Sequence, residues 1–175
     1  SGAYGEKNER RNKMKHLRKQ IAGYLLTLIL LMAGIVFPGS GEKVLASGGS
    51  MTVHFLDVGQ GLSILVQSEG QNLLYDGGPR SASSYVVSYL QEQNVSEIDY
   101  LISSHYDEDH VSGLIGCLNA FQVDNVIGAD YIHDSSLYGS FMDAVAAHGL
   151  EVQHPAVGAE YTFGSGKFTI LSEYS

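Results

Sequence analysis

At 175 residues with a formal net charge of −9, the chain is long enough for one ordinary domain and too short for two. Seven of its ten Lys and Arg lie within the first 19 residues and only Arg80 and Lys167 follow residue 50, so from Ser47 onward 16 acidic residues stand against 2 basic ones, a balance of −14. That balance is hostile to non-specific binding of a polyanion, which rests on Lys and Arg at phosphates, and a single cysteine, Cys117, excludes an internal disulfide.

The chain opens on a polar stretch, Ser1 to Lys13, followed by a basic cluster, Met14-Lys15-His16-Leu17-Arg18-Lys19. Ile21 to Phe37 then runs apolar for 17 residues without a charge, Pro38, Gly39 and Gly41 break it, and Val44 and Ala46 stand at the −3 and −1 places of a signal-peptidase site. This order is the signature of a secretory signal peptide. Residues 1–46 are therefore expected to be an extension and signal peptide cleaved near Ala46, releasing residues 47–175 outside the cell. The alternative is an uncleaved membrane anchor, since the run is long for a signal and short for a span. Contact with a membrane is expected through this segment alone.

Beyond it, strands come first. Met51 to Leu56 and Leu62 to Gln67 read as strands around the turn Asp57-Val58-Gly59-Gln60-Gly61, and Glu69-Gly70-Gln71-Asn72 turns the chain into a third, Asn72 to Tyr75. Asp76-Gly77-Gly78-Pro79 stops that strand. Ser84 to Gln93 is predicted helical, with Val86 and Leu90 four apart and Asn94 as its stop. A buried strand, Ile98 to Ser103, precedes a helix from Val111 to Phe121 with Leu114, Ile115, Leu118 and Phe121 on one face, where Cys117 packs as a small hydrophobe. A strand over Asn125 to Tyr131 and a helix over Ser136 to His148, closed by Gly149, follow. Short strands over Val152 to His154, Glu160 to Phe163 and Lys167 to Leu171 end the pattern. A meander followed by strand-helix units predicts an α/β fold whose sheet carries helices on one outer face.

Between the buried strand and the next helix lies Ser104-His105-Tyr106-Asp107-Glu108-Asp109-His110, with four possible metal ligands within six residues. Alternate side chains of an extended backbone point the same way, so His105, Asp107 and Asp109 can converge, and a turn at His110 adds a fourth ligand. Such density of imidazole and carboxylate is costly unless a cation neutralises it. The plainer reading is a solvated acidic loop with two incidental histidines.

Three ordered segments, His54 to Gly61, Leu73 to Gly78 and His105 to Gly113, resemble the metallo-β-lactamase superfamily, and within it the hydrolase domain of ComEC-type DNA-uptake proteins and their secreted relatives. The resemblance covers roughly residues 51–171. It implies a four-layered αββα sandwich, of which this chain holds the first half, and two divalent metal ions, Mn²⁺ or Zn²⁺. By that resemblance His105 and Asp107 bind one metal, Asp109 and His110 the other, and Asp109 also accepts a proton. Asp107 stands where the superfamily's second histidine sits, and a carboxylate there moves preference from Zn²⁺ toward Mn²⁺. Asp76 matches an acidic residue that orients the metal loop from behind. Asp57 and Gln60 match a turn beside the site, although satisfying local backbone groups explains them as well. Leu62 replaces an acidic residue of the branch, and Ser112-Gly113 replaces Gly-Gly.

The further His, bridging Asp and final His of the superfamily's second half have no counterpart after His110. His133 follows a strand and could sit on the active rim. His54 reads as structural, His154 as an ordinary strand-end residue and His148 as a helix-end residue. The chain is thus expected to be a fragment that binds metal weakly, does not hydrolyse on its own, and leaves one apolar sheet face uncovered. For the complete protein the resemblance implies metal-assisted hydrolysis of a phosphodiester, with single-stranded DNA as one substrate. Two alternatives remain. One is another hydrolase on the same site (a cell-wall phosphodiester or phosphocholine esterase, a lactonase or a β-lactamase), and the other is a non-catalytic secreted binding module.

Overall fold

The computed structural model describes residues 49–172; the expected signal peptide or anchor, residues 1–46, lies outside them. Strands β1 (Met51–Phe55), β2 (Ile64–Ser68) and β3 (Gln71–Tyr75) form an antiparallel meander. Helix α1 (Ser83–Glu92), strand β4 (Glu97–Ile102), helix α2 (Glu108–Ala120), strand β5 (Gln122–Ile127), helix α3 (Ser136–Ala147) and strand β6 (Val152–Gln153) follow, and β3 to β6 pair in parallel. The six strands lie in sequence order in one sheet, and β7 (Glu160–Phe163) and β8 (Gly166–Thr169) form a separate hairpin.

Local chemistry accounts for the connections. The β2–β3 turn takes two residues, Glu69 and Gly70, both at positive φ (49° and 85°), the geometry that follows the twist of paired strands. It is tighter than the four-residue turn expected, so β3 starts at Gln71. Helix α1 stops at Asn94, whose φ is 61°. Val95 N–H donates to Leu90 O and Asn94 N–H to Gln91 O, each over 3.0 Å, closing the helix in a Schellman arrangement.

The largest departures from expectation fall in two elements. Helix α2 begins at Glu108, three residues early, because Asp107 adopts the extended N-cap conformation (φ −72°, ψ 154°) and Glu108 and Asp109 fill the first turn, where the helix dipole favours acids. Strand β5 also begins three residues early and ends at Ile127. Gly128 then lets the backbone pass beneath the Tyr106 hydroxyl, from which a β-carbon would stand 2.7 Å away.

One core joins the sheet to the three helices through Leu65, Leu74, Val86, Leu90, Ile98, Leu101, Leu114 and Phe141, all fully buried. A second, smaller core lies on the other face, where Leu73, Ile102 and Ile127 meet Phe163. There Tyr100 contacts Tyr161, Phe163 and Phe168 edge-on at 5.0–6.4 Å between ring centres. The apolar face expected to be bare is therefore covered in its middle by the hairpin, while Val53 and Phe55 on edge strand β1 stay exposed. The layers run helix, sheet, hairpin. Among the described residues no helix is long and apolar enough to cross a membrane.

Candidate metal centre

The site lies where β3 and β4 end side by side in parallel, so the loop after β4 and the turn after β3 must meet. Asp76 leaves β3 fully buried and at positive φ (56°), a conformation that costs of order 1 kcal/mol for a non-glycine residue. Three hydrogen bonds hold it. Oδ1 accepts from Ser104 N (2.8 Å), and Oδ2 accepts from Ser104 Oγ (2.7 Å) and His110 Nδ1 (2.8 Å). Asp76 N–H in turn donates to Ile102 O.

Gly77 and Gly78 seat the first turn of α2 on this carboxylate. Gly77 N–H donates to His110 O (2.8 Å), and Gly113 N–H to Gly78 O (3.0 Å). A β-carbon on Gly113 would collide with the Gly77 carbonyl, and one on Gly77 with the backbone at Gly113 and Leu114. Glycine at both positions is what lets the loop and the helix approach so closely. Gly61, from the turn after β1, makes a similar approach over the Asp109 carbonyl.

This framework fixes the proton positions on two imidazoles. Because the Ser104 hydroxyl gives its proton to Asp76, the 2.8 Å contact between Ser104 Oγ and His105 Nδ1 requires the proton to sit on Nδ1. His110 Nδ1 likewise donates to Asp76. In the neutral form of both rings Nε2 is then the unprotonated nitrogen, the donor a metal needs, and the ring centres lie 4.0 Å apart. A carboxylate behind a ligating histidine is the usual way a protein sets that tautomer.

The remaining donors stand in pairs. His105 Nε2 is 3.5 Å from Asp107 Oδ2, and His110 Nε2 is 3.8 Å from Asp109 Oδ2. Two donors bound at about 2.1 Å to one cation stand roughly 3.0–3.4 Å apart at tetrahedral or octahedral angles, so each pair is close to one edge of a coordination sphere. No group of three or more His, Cys, Asp or Glu among the described residues could hold a metal. Each pair supplies two donors at most.

The route to this arrangement differs from the one expected. Alternation along an extended chain carries only His105 and Asp107, whereas Asp109 and His110 are placed by the first turn of α2. Glu108 points away, accepting from Arg80 N–H (3.0 Å) and Ser112 Oγ (3.4 Å). The Asp57 side chain accepts from Gly59 N–H (3.3 Å) within its own turn, and Gln60 is exposed. His54 contacts the Tyr89 hydroxyl (3.1 Å), His148 the Leu118 carbonyl (2.6 Å) and His154 the Gly128 carbonyl (3.0 Å). His133, by contrast, reaches the loop, with Nε2 3.5 Å from Asp107 Oδ1. Ser104 was the member of the site with no role legible in the sequence.

Burial and the nearby Asp76 raise the pKa of Tyr75, partly offset by a bond to Ser104. Burial also raises that of Tyr106, aided by Tyr138 and Tyr131, and Tyr106 donates its hydroxyl proton to Ala129 O (2.8 Å). A cleft of about 760 Å³ lies between the sheet and the β7–β8 hairpin and reaches this region through Ser103 and Ser104.

A strand-turn-helix frame brings two histidines and two carboxylates around the buried Asp76. The family profile of the metallo-beta-lactamase superfamily matches residues 56–167, more than half of the chain, and the chain belongs to that superfamily. It is 38% identical over 86 residues to Competence protein ComA of Neisseria gonorrhoeae, a match covering 49% of this chain and 12% of that protein. It is 38% identical over 74 residues to Recombination protein 2 of Haemophilus influenzae, covering 39% and 9%. The chain thus spans about a tenth of the length of these relatives. A metallo-beta-lactamase with a HARLDQ motif from Cronobacter sakazakii is similar over 59% of this chain and 42% of its own, at 15% identity and a TM-score of 0.44.

Proposed function

We propose that this chain carries half of the metal site of a hydrolase that cleaves phosphodiesters. The single observation that carries this reading is the buried Asp76, which sets the proton on both His105 and His110 so that each presents a bare Nε2. His105 and Asp107 would hold one divalent cation, Asp109 and His110 a second. Mn²⁺ is favoured over Zn²⁺ because three carboxylate or hard-donor positions accompany only two imidazoles once a phosphoryl oxygen is counted. Bound there, the cations would supply Lewis acidity toward a phosphoryl oxygen and lower the pKa of bound water to about 7. Asp109, 28% exposed beside His110, would take up a proton at the carboxylate oxygen not given to the cation. Asp76 and Ser104 keep the imidazoles in register throughout.

Similarity to a competence protein and a recombination protein supports a nucleic-acid phosphodiester, including single-stranded DNA, as substrate of the complete protein. The acid excess from Ser47 onward favours a second reading, in which the substrate is smaller: a cell-wall phosphodiester or phosphocholine ester, a lactone or a β-lactam. The Met14–Ala46 pattern supports export, which an N-terminus near Ser47 in secreted material, found by mass spectrometry, would bear out.

Titration calorimetry on the full chain tests the metal assignment. Weak binding of Mn²⁺ or Zn²⁺ that His105→Ala and Asp109→Ala each diminish is the expected result. Equal binding by the wild type and the double variant would overturn it. Mn²⁺-dependent assays of the complete protein on single-stranded DNA, a bis-phosphodiester and a β-lactam separate the two readings.

A further inference from the structure

We infer that His133 is a positioning residue for the metal centre, turning the Asp107 carboxylate away from its helix and toward the first metal position. This rests on the metal-binding reading above.

The first observation is a cap that is not made. Asp107 is the N-cap residue of α2, and its carbonyl accepts from His110 N–H (3.1 Å) and Val111 N–H (3.0 Å). An aspartate in that place ordinarily turns its carboxylate back onto the free N–H groups of the first turn. Here the side chain makes no cap hydrogen bond. Its two oxygens face imidazoles instead, Oδ2 toward His105 Nε2 and Oδ1 toward His133 Nε2, each at 3.5 Å.

The second observation is that the 128–135 loop is built against the ligand loop. Tyr131 Oη accepts from Tyr106 N–H (3.1 Å), the residue between His105 and Asp107, and Tyr106 donates back to Ala129 O (2.8 Å). The rings of Tyr106 and Tyr131 lie 5.1 Å apart, and Tyr131 abuts the His133 ring at 6.3 Å. His133 is thus delivered to Asp107 by a loop tied at two points to the segment it serves.

The third is a contact behind the His133 ring. Ser135 Oγ caps α3 by accepting from Tyr138 N–H (3.1 Å) and lies 2.9 Å from His133 Nδ1. That contact holds the ring with Nε2 toward Asp107 Oδ1 and leaves Oδ2 toward His105.

The reading predicts that stability and metal affinity move independently. In the full chain, His133→Ala frees Asp107 to cap α2, so the thermal midpoint without metal should stay or rise while Mn²⁺ affinity falls about tenfold, as for other residues that orient a ligand from behind. His133→Gln, which keeps a donor, should recover part of that affinity. With Co²⁺ as the probe, the visible spectrum should change in His133→Ala and return toward wild type in His133→Gln. Unchanged affinity in His133→Ala, alongside a loss in His105→Ala, would overturn the inference and leave the metal site standing. A parallel fall in affinity and midpoint would reduce His133 to a structural residue and also overturn it. A wild type that binds no metal would overturn both.

Discussion

Replacing Asp76 with asparagine keeps its shape and its tolerance of positive φ, yet reverses half of its hydrogen bonding. The amide oxygen can still accept from Ser104 N–H, while the amide nitrogen must face Ser104 Oγ and His110 Nδ1, both of which donate to Asp76. Both would have to become acceptors. His110 would then carry its proton on Nε2. Ser104, its own proton redirected to His105 Nδ1, would force the same tautomer there. One substitution thus removes both bare Nε2 donors without touching either histidine. A hydrogen bond to a charged group contributes about 1.5–3 kcal/mol and a neutral one about 1. With two bonds weakened and none left unpaired, unfolding in urea should show a loss of about 1–3 kcal/mol. Metal affinity should fall further, by about 10- to 100-fold, the usual effect of removing a carboxylate behind a ligand. Nitrogen-15 NMR of the imidazoles reads the tautomers directly, and titration with Mn²⁺ reads the affinity. If Asp76→Asn kept the Nδ1–H tautomers and wild-type affinity, the proton-setting role given to Asp76 would be refuted.

Gly113→Ala should cost about 1–3 kcal/mol, the usual penalty of overpacking, because its β-carbon collides with the Gly77 carbonyl; urea unfolding of the variant with and without Mn²⁺ checks that metal binding falls with it. Burial pushes the Cys117 thiol from 9.0 up to about 12, so thiol reagents at pH 8 should react only as the protein unfolds. A thiol kept protonated in the fold stabilises fully below pH 9 and loses that contribution as pH rises toward 12, with a slope of up to about 1.4 kcal/mol per pH unit; the stability profile of Cys117→Ala should be flatter above pH 9.

Periodicity revealed the sheet and helices because their inward faces are continuous: Leu114 and Leu118 on α2, Phe121 just past its end, and Ile98, Leu101 and Ile102 on β4 are buried as their spacing implies, while Ile115 is half-buried. Boundaries moved where a single residue outweighed the pattern. Asp107 starts α2 three residues before its apolar stripe, and Gly128 ends β5 before Tyr131 because a buried tyrosine hydroxyl needs room there. The ligand loop was legible from its composition. Its wiring was not, since nothing in the order of residues tells that Ser104 relays Asp76 to His105, or that a loop 26 residues away returns His133 to Asp107. Those contacts depend on β3, β4 and β5 lying in parallel register, which only the folded sheet supplies.

Two local rules are broken in the described structure within one loop: a buried aspartate holds positive φ, and an aspartate at a helix N-cap leaves the helix uncapped. Sequences that fold well keep local choices consistent with the whole, and departures cluster where geometry serves function. The second departure can be reversed by design. Asp107→Ser places a good capping residue with too short a side chain to reach His105 or His133, and its hydroxyl can accept from Asp109 or His110 N–H. The expected gain is about 1 kcal/mol, a rise of a few degrees in the unfolding midpoint. Affinity for Mn²⁺ should fall because the first pair of donors is reduced to His105 alone. Calorimetric scans without metal and titrations with it measure the two effects on the same variant. A Ser variant less stable than wild type would mean that Asp107 already contributes as much to the fold where it points as a cap would, and that no stability is given up for the metal.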